Sequence, residues 1–482
     1  MRAARSADGR RVIRRNGRIV MAAPTADAHW RWFDMAARPA AAVSSCLARA
    51  LRSRLLSGSI AVIPLMTGAT VARAQTIAPL VPPSIDPDYN RGRNISVTEQ
   101  EDPSYQALGV RLGSILAYPS FSIVTGATNN VFTNDAVKRS DAFYFFRPAV
   151  YVTSDWAVHK VEVVAGADIQ RYAHQTLRNQ NAYAVTATGR LDIGPDAKVT
   201  GAVQYSRSAE SPYSTDLAAD VSVLSQFTRF NPSLTGVYDA GRFRFTGKVE
   251  RLRLTFSDVE FANGAIRNQR DRDRSVTRAS VQTEYALSPS VAAFAQGTYD
   301  ITNYDTLRAD GQANRDSKSP QMLLGVNFDL AGTMRGTLAA GYTKRFYDAP
   351  IYADKGGLVL QARAEIFVSA LTTVNVGVQQ LIQDSGSSFN GAYRDLRANV
   401  GFDHALLRNL IISSDFTAIR QRVLDSPASS NRLLAEFSAK YQSNRFISVQ
   451  AGVQYGRSRP GAVPLGNVFS ELSGQVTLRF RR

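Results

Sequence analysis

The sequence predicts an all-β fold, a transmembrane antiparallel up-and-down β-barrel of about eighteen strands, with sixteen as the alternative count. Three observations predict it. From about Pro119 to the end of the chain, apolar and polar residues alternate with period two. The links between the alternating stretches are short and long in turn. No segment of the mature chain offers the run of roughly eighteen apolar residues that a membrane helix requires, and the mean hydropathy of the 482-residue chain is −0.18.

The alternation is plainest in the last strand. Leu472, Gly474, Val476, Leu478 and Phe480 fall on one face, and Ser473, Gln475, Thr477 and Arg479 on the other. Ile447, Val449, Ala451, Val453 and Tyr455 oppose Ser448, Gln450, Gly452 and Gln454 in the same way. Leu358, Leu360, Ala362, Ala364 and Ile366 oppose Gln361, Arg363 and Glu365. Polar faces this wet do not suit a packed core; one face suits hydrocarbon and the other water.

Short links fall at 154–156, 194–196, 239–242, 288–290, 331–333, 369–371, 407–409 and 443–445. Longer polar stretches fall at 130–140, 172–181, 207–221, 257–274, 303–318, 347–356, 384–392, 422–431 and 458–467. Eight short and nine long links join eighteen strands, and an even number returns both ends to one side of the membrane. Aromatic residues add two girdles, with Tyr172, Tyr205, Tyr299, Tyr342 and Tyr455 near the outer ends and Phe243, Phe402, Tyr441, Phe446 and Phe480 near the inner ends.

The net charge of +17 is mostly a property of residues 1–74, which hold thirteen arginines and three aspartates. Basic and acidic residues intersperse in the remainder, and no helix-turn-helix, zinc-finger or aromatic RNA-binding pattern occurs, so nucleic acid is not an expected partner. Arg49, Arg52 and Arg54 lead into the apolar stretch Leu55 to Val71, and Ala72-Arg73-Ala74 then supplies a small-x-small cleavage site, the pattern of an export signal. A start at Met35 fits the length of such a signal better than one at Met1, so residues 1–34 read as the product of a misassigned start site. The single cysteine, Cys46, lies in this leader, so the mature chain has no thiol for disulfides, metal ligation or nucleophilic chemistry. Residues 75–108, with Pro79, Pro82, Pro83, Pro87 and Pro103, read as an extended periplasmic arm or a plug, ahead of a barrel at 109–482.

GVRLGSILAYPSFSI at 109–123, TNNVFTND at 128–135, SDWAVH at 154–159 and AGADIQRYA at 165–173 resemble the alphaproteobacterial outer-membrane β-barrel proteins of the putative β-barrel porin 2 family. The rest of the chain resembles that family through its barrel pattern. The resemblance implies an outer-membrane location and involvement in exopolysaccharide export, with polysaccharide export components as partners, and brings no catalytic residues or cofactor. Family members commonly end on an aromatic residue, whereas here Arg481 and Arg482 follow Phe480, a departure that bears on recognition by the barrel-insertion machinery rather than on the fold.

Glu162, Asp168, Arg190, Arg244, Lys248, Glu250, Arg278, Glu284, Arg363, Glu365, Arg397, Glu436 and Lys440 all fall opposite apolar strand faces and are the lumen-lining candidates. Charges there need water or opposite charges around them, which allows a wall knitted by ion pairs or a polar track for a hydrophilic solute. Arg267, Arg270, Arg272 and Arg274, interleaved with Asp271 and Asp273, form a basic outer loop suited either to solvent or to anionic lipopolysaccharide in the surrounding outer-membrane lipids. His159, His174 and His404 lie far apart in sequence, and no metal-ligand spacing or phosphate-cradling glycine loop occurs, so neither a metal nor an organic cofactor is expected. A conduit is the leading expectation, a structural or adhesion barrel with a plugged lumen the alternative, and an enzyme built on the histidines the third.

Overall fold

The computed structural model describes residues 14–15, 18–19, 81, 85, 89–92, 94–100, 102–211, 213–214, 221–261, 263–384 and 392–482. The export signal, its cleavage site, Cys46 and much of the Pro-rich arm lie outside the described residues. The chain divides into Met1–Ala48 and Arg49–Arg482. In the first unit the described residues form one antiparallel pairing of Arg14–Arg15 with Arg18–Ile19.

The second unit contains a closed barrel of eighteen long antiparallel strands, running in chain order from Ile115–Thr128 to Phe469–Arg481. Eighteen, not sixteen, is therefore the strand count. Each strand pairs with its sequence neighbour, and the last closes on the first, with Phe480 opposite Phe121 and Val476 opposite Thr125. A typical strand, such as Ser317–Leu330 with 14 residues, is about 46 Å long and still rises about 35 Å at the tilt usual for barrels. That exceeds the hydrocarbon band, so both rims project beyond it.

Connections at one rim are tight, as at Asp239 to Arg242, where Gly241 adopts φ 62°. Those at the other rim are longer, as between Phe256 and Arg274. Alternation of the side chains then sorts the two surfaces. Along Arg274–Ser288, Gln282 and Glu284 are buried toward the lumen at 3% and 1% exposure, while Val281, next to Gln282, is 62% exposed on the outer wall. An inward polar set and an outward apolar set recur on every long strand, which is how a membrane barrel satisfies its backbone without an open edge.

One girdle assignment is corrected. Tyr205, Tyr299 and Tyr342 are exposed on the outer wall, but Tyr172 shares the parity of Glu162 and Asp168 and turns inward, edge-on to Phe143 at 6.2 Å. Side-chain direction follows strand parity, and aromatic character cannot override it.

Closure of the ring depends on Gly126, because a Cβ there would meet the carbonyl oxygen of Gly474 at 2.4 Å and the Phe143 ring at 2.5 Å. Gly126→Val is expected to lose about 1 to 3 kcal/mol by overpacking the seam. The readout is the temperature at which the folded barrel converts to its slower-migrating unfolded form on electrophoresis, which should fall while Gly189→Ala, in open space, leaves it unchanged.

The barrel lumen as the candidate functional site

Most of the sequence-selected charged residues meet an opposite charge on the inward face. Asp168 accepts from Arg147 at 3.0 Å, Glu162 pairs with Lys160 at 2.7 Å, and Arg190 with Asp192 at 3.0 Å. Arg244 pairs with Asp239 at 2.7 Å, Lys248 with Glu250 at 3.0 Å, and Arg278 joins Glu250 to Asp300. Arg397 pairs with Asp395 at 2.7 Å, and Arg363 stands 3.6 Å from Glu365. Glu436 borders a lumenal cavity, with Lys440 four residues along the same strand face. Many of these pairs link neighbouring or next-nearest positions along the wall, where they neutralise one another at modest desolvation cost.

Glu284 and Glu365 are different, because their partners include the arm that precedes the barrel. Arg91 reaches Glu284 at 3.4 Å, and its backbone N–H donates to Asp329 at 2.7 Å. Asn94 donates to Asp329 at 2.6 Å and to the Leu330 carbonyl at 2.9 Å. Tyr89 donates to Glu365 at 3.1 Å, and the Val97 N–H donates to the Thr373 hydroxyl at 3.1 Å. Arg335 ties these together, bonding Glu365 at 2.6 Å, Glu99 at 2.8 Å and the Asn94 carbonyl at 2.9 Å. These wall residues lie near the tight-turn rim. Val81, earlier in the arm, packs against Leu252, Leu254, Phe256 and Val276 near the opposite rim. The described arm residues thus engage the wall at both ends of the lumen. Arg335 and Arg147 were not singled out from sequence, although Arg335 lies an odd number of residues from the outward Tyr342 on the same strand and so has inward parity.

A second intrusion comes from the long-loop rim. Tyr213, in the connection after Ala197–Ala209, crosses to the far wall, where it donates to Glu471 and packs with Ile419, Leu434 and Phe469, its ring 5.1 Å from that of Phe469. Arg432 donates to its carbonyl. Between this loop and the wall lies a cavity of about 210 Å³ bordered by Arg147, Asp168, Gln170, Tyr172, Arg178 and Glu471, among others. Burial pushes the Arg178 guanidinium down to about 10, so it stays charged at neutral pH.

The basic outer loop needs correction. Arg267 and Arg270 are exposed, but Arg272 and Arg274 are buried. Arg272 forms a two-pronged pair with Glu210 at 2.6 and 3.1 Å and lies over the Phe256 ring. Arg274 turns inward as the first residue of its strand and joins Arg315 and Arg345 around the single carboxylate of Asp384, which also accepts from Tyr304 at 2.9 Å. Neither arginine is free to meet a lipid phosphate, because each guanidinium is buried and already engaged by protein atoms.

The three histidines do not converge. His159 occupies a tight turn at φ 65°, donating its N–H to Asp192 at 3.0 Å and accepting from the Asp192 N–H at 3.1 Å. His174 contacts Asp141 at 2.9 Å at the long-loop rim, and His404 contacts Thr372 at 2.9 Å at the tight-turn rim. Each has a local role in a turn or strand end.

Residues 102–482 match the family model described as Putative beta-barrel porin 2. No curated protein sequence matches the chain. Among solved structures, OpdK of Pseudomonas aeruginosa is similar with a TM-score of 0.42 at 12% identity, over 76% of this chain and 98% of its own. OccK2 (OpdF) of the same organism gives 0.44 at 11% over 76% and 98%, and OccAB4 of Acinetobacter baumannii gives 0.41 at 12% over 79% and 100%.

Proposed function

Since the chain belongs to the Putative beta-barrel porin 2 family and is an outer-membrane β-barrel, we propose that it is a conduit for a hydrophilic solute, with a polysaccharide in export as the solute. The observation that carries the reading is the polar inner face, which continues around all eighteen strands while the outer face is apolar away from the long-loop rim. A barrel of this strand number is normally wide enough for an aqueous channel. Such a face serves no purpose in a dry core and lowers the barrier for a hydrated solute.

The arm and the Tyr213 loop favour a second reading, a structural barrel whose lumen is filled. Conductance separates the two. Purified full-length protein in a planar bilayer is expected to open ohmic channels, and a strain lacking the gene is expected to retain polysaccharide in the periplasm. A bilayer that stays silent with the arm present and with it removed would leave the structural reading standing.

A further inference from the structure

The outward face of the barrel is not uniformly apolar. Exposed basic residues stand on it near the long-loop rim of several strands: Arg207, Arg251, Lys318, Lys344, Arg394, Arg420, Arg422 and Arg459. Half-buried Arg171 and Arg457 share that level. No long strand carries an exposed Asp or Glu among the described residues. The outward positions toward the tight-turn rim bear aliphatic and aromatic side chains instead, among them Leu287, Leu330, Val368, Phe402, Tyr441 and Phe480. The positive collar therefore marks one membrane surface only.

The collar is densest across four consecutive strands, Ala392–Leu407, Leu410–Val423, Ala428–Gln442 and Ile447–Pro460, which carry Arg394, Arg420, Arg422, Arg457 and Arg459. Arg394 stands directly opposite Arg422, and Asn431 bridges the register between Arg420 on one side and Arg459 on the other. Neighbouring strands are about 4.8 Å apart and each residue rises about 3.3 Å, so the five lie within about 20 Å of one another on the sheet. Like charges paired across strands are destabilising unless an anion sits between them. Among the described residues none of the five guanidiniums has an ion-pairing or hydrogen-bonding partner, and Asp425 in the adjoining connection is taken by Lys355.

Leu433 stands directly opposite Arg457, and two or three outward positions further from the long-loop rim the same face carries Val400, Phe416 and Val453. Val400, Phe416, Leu433 and Val453 are 49%, 43%, 44% and 50% exposed. We propose that Arg394, Arg420, Arg422, Arg457 and Arg459 form a docking site for a multiply phosphorylated lipid of the outer leaflet. Its phosphates sit between the guanidiniums, and its acyl chains lie along Val400, Phe416, Leu433 and Val453. Arginine suits this position because its planar fork binds phosphate oxygens two at a time while its stem lies on apolar surface. A soluble anion or an acidic polymer would use the charges but gain nothing from the apolar strip.

The test is a binding titration of the full-length protein in detergent micelles with bisphosphorylated lipid A. Each arginine removed is expected to weaken binding about fivefold, and Arg420→Gln/Arg422→Gln/Arg457→Gln about a hundredfold at low ionic strength. Dephosphorylated lipid A is expected to bind the unmodified protein as weakly as lipid A binds the triple variant, and millimolar inorganic phosphate is expected not to displace the lipid. Arg267→Gln/Arg270→Gln, in the exposed loop, should bind as the unmodified protein does. Should the triple variant fail to form the heat-modifiable barrel, Arg420→Gln and Arg457→Gln singly carry the test, each with the fivefold loss. Unchanged affinity in the variants, tight binding of the dephosphorylated lipid, displacement by free phosphate, or loss of affinity in the loop variant instead would each overturn the proposal.

Discussion

Deleting residues 75–100 is expected to raise the single-channel conductance of the reconstituted barrel several-fold. The described part of that segment bonds to Asp329, Glu284, Glu365, Thr373 and Arg335, all on the inward face near the tight-turn rim. A chain lying across the lumen displaces water and ions from the cross-section that conducts. Its removal exposes Arg335, Glu365 and Asp329, which can be solvated by the water that enters, so the barrel itself should persist. Insertion is checked by the heat-modifiable band, and a deletion variant that inserts yet conducts no better than the full chain would place the narrowest point at the Tyr213 loop.

Arg335→Ala is expected to cost about 3 kcal/mol, because it takes the close 2.6 Å cation from Glu365, 6% exposed, and leaves only the longer 3.6 Å contact with Arg363. It also frees the Asn94 carbonyl and Glu99. Glu99→Gln should cost under about 1 kcal/mol, since the Glu99 side chain is 44% exposed and water screens that half of the network. Urea unfolding of the barrel in lipid vesicles measures both. Equal losses from the two substitutions would mean that the arm, and not the wall pair with Glu365, holds the energy.

The strand count and the sorting of faces were legible because a two-residue period leaves little freedom: once Gln282 and Glu284 are inward, Val281 must be outward. Tyr172 was misplaced by reading its aromatic ring before its parity. The arm was less legible. Proline-rich composition reports that a segment forms no regular element, and it carries no periodic signal that would say where Tyr89, Arg91 and Asn94 find partners. Arg272 escaped for a related reason, since its partner Glu210 lies 62 residues away and no local spacing announces the pair. The arginine collar was written openly in the alternation, as Arg420, Arg422, Arg457 and Arg459 interrupt otherwise apolar faces at the same strand level. Reading each strand separately hid it, because the collar is a property of neighbouring registers.

The pairing of Phe469–Arg481 with Ile115–Thr128 sets an order of events for assembly. The two strands that seal the cylinder stand at opposite ends of the barrel's sequence, so every other hairpin can form while the first strand still lacks its neighbour. Until the final hairpin arrives, one long edge with unmatched N–H and C=O groups faces either periplasm or lipid, and lipid tolerates neither group. Contacts so distant in sequence are the last to form, so the seam between these two strands is expected to close last and the exposed edge to persist until it does.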